Sequence, residues 1–332
     1  SILGLLYGLF LSQNQKYMRY AIYIVSTVLL YHSIGANSYV SSTGMDMREA
    51  LNDLEGMLGH TDYWTDYCML LLLFASFLIK EKNKCIRAVG FLVALYMYKT
   101  VLFCGFATPV ALFLIGHALI GFAYLRYGKR GILQVFLRVG FAVVLIVGSV
   151  WGIFKISTLE DDSRYSSIQV RFKNMIENPE GGGYSVEDSR FNLALISWST
   201  FKENPFFGCG GTYLNNPKAG GHHAAIDFLA IHGLLGGGVY IAFVVLCVMN
   251  AYQRCRREKD WISYATFACA GMYLIVGLVN PGWYGGPMTT LLLYVQPFKR
   301  SSRPVRPYTN QVMQGRPTFV GVVPSVPLER LC

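Results

Sequence analysis

The sequence predicts an all-α membrane protein, and its composition and the pattern of its apolar residues are the grounds for that prediction. Hydrophobic residues make up 53% of the 332 residues and charged residues only 14%. Soluble domains typically carry about 25% charged residues, so this chain has too few to cover a water-exposed surface. Its apolar residues also come in blocks of about 20, the length that a helix needs to cross a bilayer. We therefore predict a polytopic transmembrane helical bundle.

About nine apolar segments are the predicted membrane helices. They are residues 1–11, 20–35, 64–79, 86–104, 107–125, 132–154, 224–249, 261–279 and 288–298. Backbone N–H and C=O groups in lipid must find partners within their own segment, which favours helices over strands. The first and last segments are too short to cross a bilayer, so we expect the ends of the chain to be truncated.

The orientation follows from the lysines and arginines in the loops between these segments. More than half of the 29 basic residues fall on every second loop. They are Lys16, Arg19, Lys80, Lys82, Lys84, Arg87, Arg126, Lys129, Arg130, Arg254, Arg256, Arg257, Lys259, Lys299, Arg300, Arg303 and Arg306. The short loops on the other side carry only Arg48. The positive-inside rule places the basic loops in the cytoplasm, and the net charge of +10 then requires no nucleic-acid partner.

This topology divides the chain into four parts. Residues 1–154 are the N-terminal transmembrane helices, and residues 155–223 are one large external loop that is long enough to contain helices. Residues 224–298 are the C-terminal transmembrane helices, and residues 299–332 are a cytoplasmic tail rich in proline and arginine.

The external loop is predicted to contain a helix that starts near residue 190. Residues 187–189, Glu-Asp-Ser, are a helix-start signal, and Leu195 and Trp198 follow at helical spacing. The Asn-Pro pair at 204–205 ends this helix, and the glycines of residues 208–211 allow a tight turn after it.

No motif for a metal, a nucleotide or a hydrolytic site is present. The sequence lacks H-E-x-x-H, C-x-x-C, P-loop, G-x-S-x-G and dinucleotide-binding patterns. His222 and His223 are a poor chelating pair, because neighbouring residues on a helix point about 100° apart. We therefore predict neither a metal nor another cofactor.

What remains in the loop is a cation, a base and a helix N-terminus, and this set suits a lipid-linked anion. Arg190 can hold a phosphate or diphosphate with its planar fork. The helix that starts near Ala224 offers free N–H groups and a positive dipole end. The same dipole disfavours imidazolium, which keeps His222 or His223 neutral and able to accept a proton. Asp227 lies one helical turn after His223 and is placed to orient that imidazole.

Two structural alternatives stay open at this point. The spacing alone is equally consistent with Arg190 as an ordinary solvated loop residue. It is also consistent with the histidine pair as a polar cap at the membrane surface.

Two stretches of the chain resemble the signature region of the bacterial O-antigen ligase and polymerase superfamily. They are SRFNLALISWSTFKENPFFGCG at 189–210 and GGHHAAIDFLAIHGLLGG at 220–237. In that family an arginine opens a periplasmic helix, a tryptophan often follows, and an Asn-Pro segment with glycines leads to a histidine. The position that matches the family histidine is His222, which lies 11 residues before Gly233 and five before Asp227. His223 stands where the family often has Asn or Ser.

The resemblance implies a glycosyltransferase of the bacterial inner membrane whose active site faces the periplasm. Such enzymes act on undecaprenyl-diphosphate-linked glycans without a metal or a nucleotide sugar. The resemblance implies that Arg190 binds the diphosphate and that His222 activates the acceptor hydroxyl. The family often has a further Ser-Arg pair near an earlier span, where this chain has CGFATP at 104–109. The candidates for the missing contact are Lys99 and the loop residues Arg164 and Arg171. Lys99 is predicted to be buried in a span, and the alternative is that its long side chain carries the amine to the membrane surface.

Three functions remain in competition. We predict the polymerisation of O-antigen, capsule or exopolysaccharide repeat units, and an O-antigen ligase that transfers the glycan to lipid A-core is the second choice. A transporter or flippase of lipid-linked glycans belongs to a different class and would need paired intramembrane charges or broken helices near the midplane. Charges within the spans are few, mainly Lys99 and Arg138. The expected partners are the lipid-linked glycan, the lipid bilayer and other polysaccharide-assembly proteins.

Overall fold

A computed structural model describes residues 15–43, 61–102, 107–128, 190–211, 219, 221, 223–279 and 283, and every regular element among them is helical. In chain order these are α1 (Gln15–Thr43), α2 (Thr61–Ile79), α3 (Lys84–Leu102), α4 (Ala107–Tyr127), α5 (Arg190–Glu203), α6 (Ala224–Gly233), α7 (Val239–Glu258) and α8 (Trp261–Val279). A π-helical turn, Leu234–Gly238, joins α6 to α7. The all-α prediction is confirmed for these residues. The chain divides into two compact units, Ser1–Lys299 and Arg300–Cys332, and the second lies outside the described residues.

Three of the described helical segments are long and apolar enough to cross a membrane. They are Thr108–Tyr127, Ala224–Glu258 and Trp261–Val279, and a shorter apolar helix covers Trp64–Ile79. The spans predicted at 20–35 and 86–104 fall largely within α1 and α3, which are helical but are not among these three. Those predicted at 1–11, 132–154 and 288–298 lie outside the described residues. The total of nine spans therefore stays a prediction.

α8 is the helix around which the described bundle packs. It lies against α4, α7 and α2, and its residues 263–273 are buried without interruption. Small residues on these helices let their neighbours approach closely, as is usual for helices that pack in membranes. A Cβ atom on Gly116 of α4, for example, would lie 2.5 Å from the sulfur of Met272. The core therefore depends on small residues as well as on large apolar ones.

Ion pairs tie one end of the bundle together. Glu81, just after α2, accepts a hydrogen bond of 3.0 Å from the Tyr23 hydroxyl of α1, and its Oε2 lies 3.4 Å from Nη1 of Arg19. Lys80 pairs with Asp260, which precedes α8. The loops that carry basic residues after α2 and before α8 thus lie at the same end of the helices as the start of α1. Their placement in the cytoplasm remains the prediction from charge.

Hydrogen bonds keep the Glu81 carboxylate ionised. The backbone N–H of Asn83 and the hydroxyl of Tyr23 both donate to it, and they lower the pKa of Glu81 below its ordinary value. A carboxyl group whose pKa is lowered by folding stabilises the folded state above its unfolded pKa and loses that contribution as the pH falls. The stabilisation that the Glu81 carboxylate gives to this end of the bundle is therefore present at neutral pH and is lost in acid.

Neutral hydrogen bonds join α1, α2 and α3 towards the opposite end of the bundle. The Ser33 hydroxyl lies 2.6 Å from that of Tyr67. The side-chain amide of Asn37 donates to the Ser33 carbonyl at 2.7 Å and to Oγ1 of Thr100 at 3.2 Å. Satisfied polar groups of this kind fix one register among packed helices.

The span predicted at 224–249 is not one straight helix, because the chain breaks at Gly233. This residue has φ 63° and ψ −167°, a region that essentially only glycine occupies. In a straight helix Phe228 and Gly237 would be about 13 Å apart along the axis. Instead, a Cβ atom on Gly237 would lie 2.4 Å from the Phe228 carbonyl oxygen, and the rings of Phe228 and Tyr240 stack at 4.8 Å. The chain therefore bends sharply, and the middle of α6 lies beside the start of α7.

The turn at residues 205–210 supplies the hydrogen bonds that the break removes. A helix end leaves its last carbonyls and the first N–H groups of the next helix without partners. Two N–H groups of the turn donate to carbonyls of α6, Cys209 to Ala230 and Gly210 to Ile231, both at 2.9 Å. Two of its carbonyls accept from N–H groups after the break, Pro205 from Leu234 at 2.8 Å and Phe206 from Leu235 at 3.2 Å. The turn and the broken helix are therefore one backbone unit.

We expect Gly233→Ala to lower the apparent melting temperature in detergent by more than Gly210→Ala. Both residues have a positive φ, which costs an alanine about 1–3 kcal/mol. A Cβ atom on Gly233 would also lie 2.3 Å from the Phe206 carbonyl oxygen, whereas nothing lies within 4 Å of one on Gly210. Equal losses in the two variants would contradict the close approach of the two backbones.

Candidate functional site

The site predicted from the sequence falls on α5 and α6, which pack against each other. α5 begins at Arg190 and ends at Glu203, as the Glu-Asp-Ser and Asn-Pro signals predict. α6 begins at Ala224, with His223 as its N-cap residue. The predicted start and end of α5 and the predicted start of α6 are confirmed.

The two helices run parallel. Ser197 of α5 bonds to Asp227 of α6, and just after the ends of both helices Pro205 bonds to Leu234. Arg190 precedes Ser197 by seven residues, which puts the two positions on the same face of α5. His223 precedes Asp227 by four residues. The start of α5, at Arg190, and the start of α6, at His223, therefore lie at the same end of the helix pair.

Asp227 is at the centre of the contact between α5 and α6. Its side chain is fully buried, and Oδ1 accepts a short hydrogen bond from the Ser197 hydroxyl. Oδ2 accepts one from the backbone N–H of His223 at 3.0 Å, and the backbone N–H of Gly221 also donates to this carboxylate. Burying a carboxylate is costly unless it is hydrogen-bonded, and these three donors are neutral. Its position in the first turn of α6 adds the favourable field of the helix dipole.

Asp227 contacts His223 through the main chain, and the imidazole also reaches the end of another helix. Asp227 holds the main-chain N–H of His223, while the ring Nδ1 lies 2.9 Å from the carbonyl oxygen of Leu278 in the last turn of α8. A carbonyl only accepts hydrogen bonds, so Nδ1 carries a proton and the lone pair of the neutral ring is on Nε2. The carbonyl of Leu278 therefore orients the imidazole, which is the role that the sequence predicted for Asp227.

Lys99 does not occupy the buried position that the sequence predicted. It lies in the last turn of α3, and its side chain is exposed. α3 packs chiefly against α2, α1 and α4, which separates Lys99 from the α5–α6 pair. Its place near a helix end favours the alternative in which the long side chain carries its amine to the membrane surface.

Three further predicted site residues lie outside the described residues. They are His222, Arg164 and Arg171. Arg190 is placed as the first residue of α5. The structure thus brings together the main chain at Arg190, His223 and Asp227, and it leaves the roles predicted for the other positions as predictions.

Sequence reasoning missed Ser197 and Leu278. Ser197 is a small polar residue between apolar neighbours, and its seven-residue spacing from Arg190 is a signal that would have pointed to the inner face of α5. Leu278 acts through its main-chain carbonyl, for which no residue type is a signal. Among the residues that the structure describes, no three His, Cys, Asp or Glu side chains are grouped so as to hold a metal ion.

Within the described residues, fold and site together define an all-helical architecture with three candidate membrane-spanning segments and a parallel helix pair, of which α6 belongs to one of these segments. No protein-family model, curated protein or solved structure matches the chain. The functional proposal therefore rests on the residues and on their geometry.

We expect Ser197→Ala to lower the free energy of unfolding by about 1–3 kcal/mol more than Ser199→Ala, because buried Asp227 loses a donor. Ser199 is exposed on the same helix, so it shares the change in helix propensity but not the contact. Urea unfolding of the protein in detergent measures the difference. Equal effects would mean that Asp227 does not depend on Ser197.

Proposed function

We propose that the protein polymerises undecaprenyl-diphosphate-linked repeat units of an O-antigen, capsule or exopolysaccharide at the periplasmic face of the bacterial inner membrane. The observation that carries the proposal is the parallel arrangement of α5 and α6. It puts the main chain at Arg190, His223 and two helix N-termini at one end of the helix pair, and His222 is the residue before His223 in the sequence. A cation and a base next to two positive dipole ends are the groups that transfer from a diphosphate requires.

The anion site in this proposal is built from main chain as much as from side chains. Each helix N-terminus offers N–H groups without helical partners and a partial positive charge. Arg190 at the start of α5 adds a fork that matches two phosphate oxygens at once. The glycines around residue 221 let the backbone approach the phosphate closely. Charge on the departing diphosphate is stabilised by these groups without a metal.

The reaction in this proposal is a displacement at the anomeric carbon of the donor glycan. The acceptor hydroxyl oxygen forms the new bond to this carbon, and the bond from the carbon to the diphosphate oxygen breaks. His222 takes the proton of the hydroxyl, and undecaprenyl diphosphate leaves with the bonding electrons. General base assistance of this kind is typically worth about 10² to 10⁴ in rate.

His223 has a positioning role in this mechanism. Its main-chain N–H is held by Asp227 and its Nδ1 by Leu278, so the residue next to His222 is fixed to both α6 and α8. We therefore keep His222, the position that matches the family register, as the base.

The break at Gly233 bears on the transporter alternative, which requires broken helices near the membrane midplane. The segment between the break and residue 249, the predicted end of the span, has 16 residues and is about 24 Å long as a helix. In a hydrocarbon core of about 30 Å, the break therefore lies nearer to the opposite membrane surface than to the midplane. Asp227, close to the break, accepts hydrogen bonds from neutral donors. These observations favour an enzyme over a transporter.

We expect Arg190→Ala to abolish chain extension while the protein still accumulates in the membrane. Arg190→Lys should recover only part of the activity, because an ammonium group cannot make the forked contact. The readout is the banding of surface glycan in a deletion strain that carries each variant. One repeat unit on the surface lipid identifies a polymerase, whereas unattached glycan that accumulates on the carrier identifies a ligase. Full activity of the alanine variant would remove Arg190 from the mechanism.

We expect His222→Ala to lose nearly all polymer and His223→Ala to keep a substantial part. His223→Asn is the matched control, because its side-chain amide can still donate to the Leu278 carbonyl but cannot accept a proton at neutral pH. It should therefore be close to wild type in glycan banding. Loss of polymer in His223→Asn together with activity in His222→Ala would transfer the role of base to His223.

A further inference from the structure

Two phenylalanines in the turn that holds the broken helix point away from the protein. Phe206 is 63% exposed and Phe207 is 77% exposed. Their neighbours across the turn are Leu234 and Leu235, which are 48% and 58% exposed. Together these four side chains are named the apolar turn. A continuous group of large exposed apolar side chains marks a surface that another apolar phase covers.

The backbone of the apolar turn is fixed. The carbonyl of Pro205 accepts from the N–H of Leu234, and that of Phe206 accepts from the N–H of Leu235. Gly208 and Gly233 meet at the same point, where a Cβ atom on either would lie 2.3 Å from a backbone oxygen of the other segment. The phenylalanines therefore cannot turn inward without breaking this pairing, and their exposure is a fixed property of the fold.

The apolar turn continues the surface of a candidate membrane span. Leu234 and Leu235 belong to the apolar segment Ala224–Glu258, and Val239 and Leu246 further along it are also exposed. From Leu234 to residue 249, the predicted end of the span, the segment has 16 residues and is about 24 Å long as a helix, so Leu234 and Leu235 lie in the outer part of a hydrocarbon core of about 30 Å. Phe206 is at the same level, because its carbonyl accepts from the N–H of Leu235, and Phe207 is the next residue along the turn.

Polar and aromatic side chains stand where a membrane surface would need them. Lys202 and Glu203, at the end of α5, are exposed, and Trp198 on the same helix is partly exposed. Tryptophan is enriched at the boundary between lipid and water, with charged residues on the aqueous side. Trp198 lies further from the apolar turn than these charged residues, so the boundary is marked by the change from charged to apolar side chains within residues 202–207.

We propose that the apolar turn is inserted into the phospholipid acyl chains of the leaflet opposite to the charged end of the bundle. Phe206 and Phe207 anchor the α5–α6 pair at the bilayer surface, although the sequence assigns this part of the chain to an aqueous loop. The occupant of the exposed surface is lipid, and the proposal holds whichever reaction the site performs.

The test uses protein whose native cysteines are replaced and that carries one introduced cysteine at a time, labelled with the fluorophore NBD. The labelled protein is reconstituted in vesicles of phosphatidylethanolamine and phosphatidylglycerol. Phe207→Cys is the test position, Leu235→Cys the lipid reference and Glu203→Cys the aqueous reference. Quenching is measured with acyl-chain nitroxide lipids and with aqueous iodide. We expect position 207 to match position 235, with strong quenching by the nitroxide lipids and loss of the iodide quenching seen at position 203. Phe206→Cys should give the same pattern.

Three results would overturn the proposal. Iodide quenching at position 207 equal to that at 203 would place the phenylalanines in water. Protection of position 207 from both quenchers would show that protein covers them. Iodide access at position 235 would remove the span on which the depth of the apolar turn depends. None of these readouts depends on glycan synthesis, so they are independent of the proposed activity.

Discussion

Four backbone hydrogen bonds between the 205–210 turn and the broken helix hold the candidate site in place. Peptide groups at the edge of a membrane have little water to bond with, and each one left without a partner costs several kcal/mol. The break at Gly233 would expose such groups on both α6 and the π-helical turn, and the 205–210 turn pairs with both sides. Because this turn directly follows α5, the same bonds hold α5 beside α6. The parallel helix pair, the burial of Asp227 and the shared end of Arg190 and His223 all follow from that pairing.

Asp227 determines how the two helices are set against each other. A carboxylate with three neutral donors, one of them on α5, has few alternative partners if α5 slides along α6. Any shift of one helical turn would leave a buried charge with fewer hydrogen bonds, which is more costly than the loss of apolar contacts of similar size. The apolar surfaces of these helices favour their association, while Asp227 and Ser197 select one register.

The local features of the site were predictable from the sequence, whereas the long-range ones were not. The start and end of α5 and the start of α6 depend on short signals that act within a few residues, namely Glu-Asp-Ser, Asn-Pro and the glycines before the histidines. The break at Gly233 lies in an apolar run with no proline, and hydropathy therefore assigns one helix there. What breaks this helix is the approach of a second backbone segment, and the glycines at 233 and 236–238 are its local signal, which hydropathy does not detect. The orientation of His223 comes from a main-chain carbonyl of α8, and residue identity does not predict which carbonyl will accept a hydrogen bond.

Lys99 shows a different limit, because hydropathy places a residue along a span but not on a face of the helix.

The two ends of the bundle respond differently to their surroundings, because they are held by different forces. Dissolved ions screen the charged contacts of Lys80 with Asp260 and of Arg19 with Glu81, whose partners are partly open to solvent. The bonds of Ser33, Asn37 and Asp227 have neutral donors and lie largely within the protein, where dissolved ions have little effect. With the orientation predicted from the basic loops, the contacts that dissolved ions screen face the cytoplasm, and those that dissolved ions hardly affect face the opposite side.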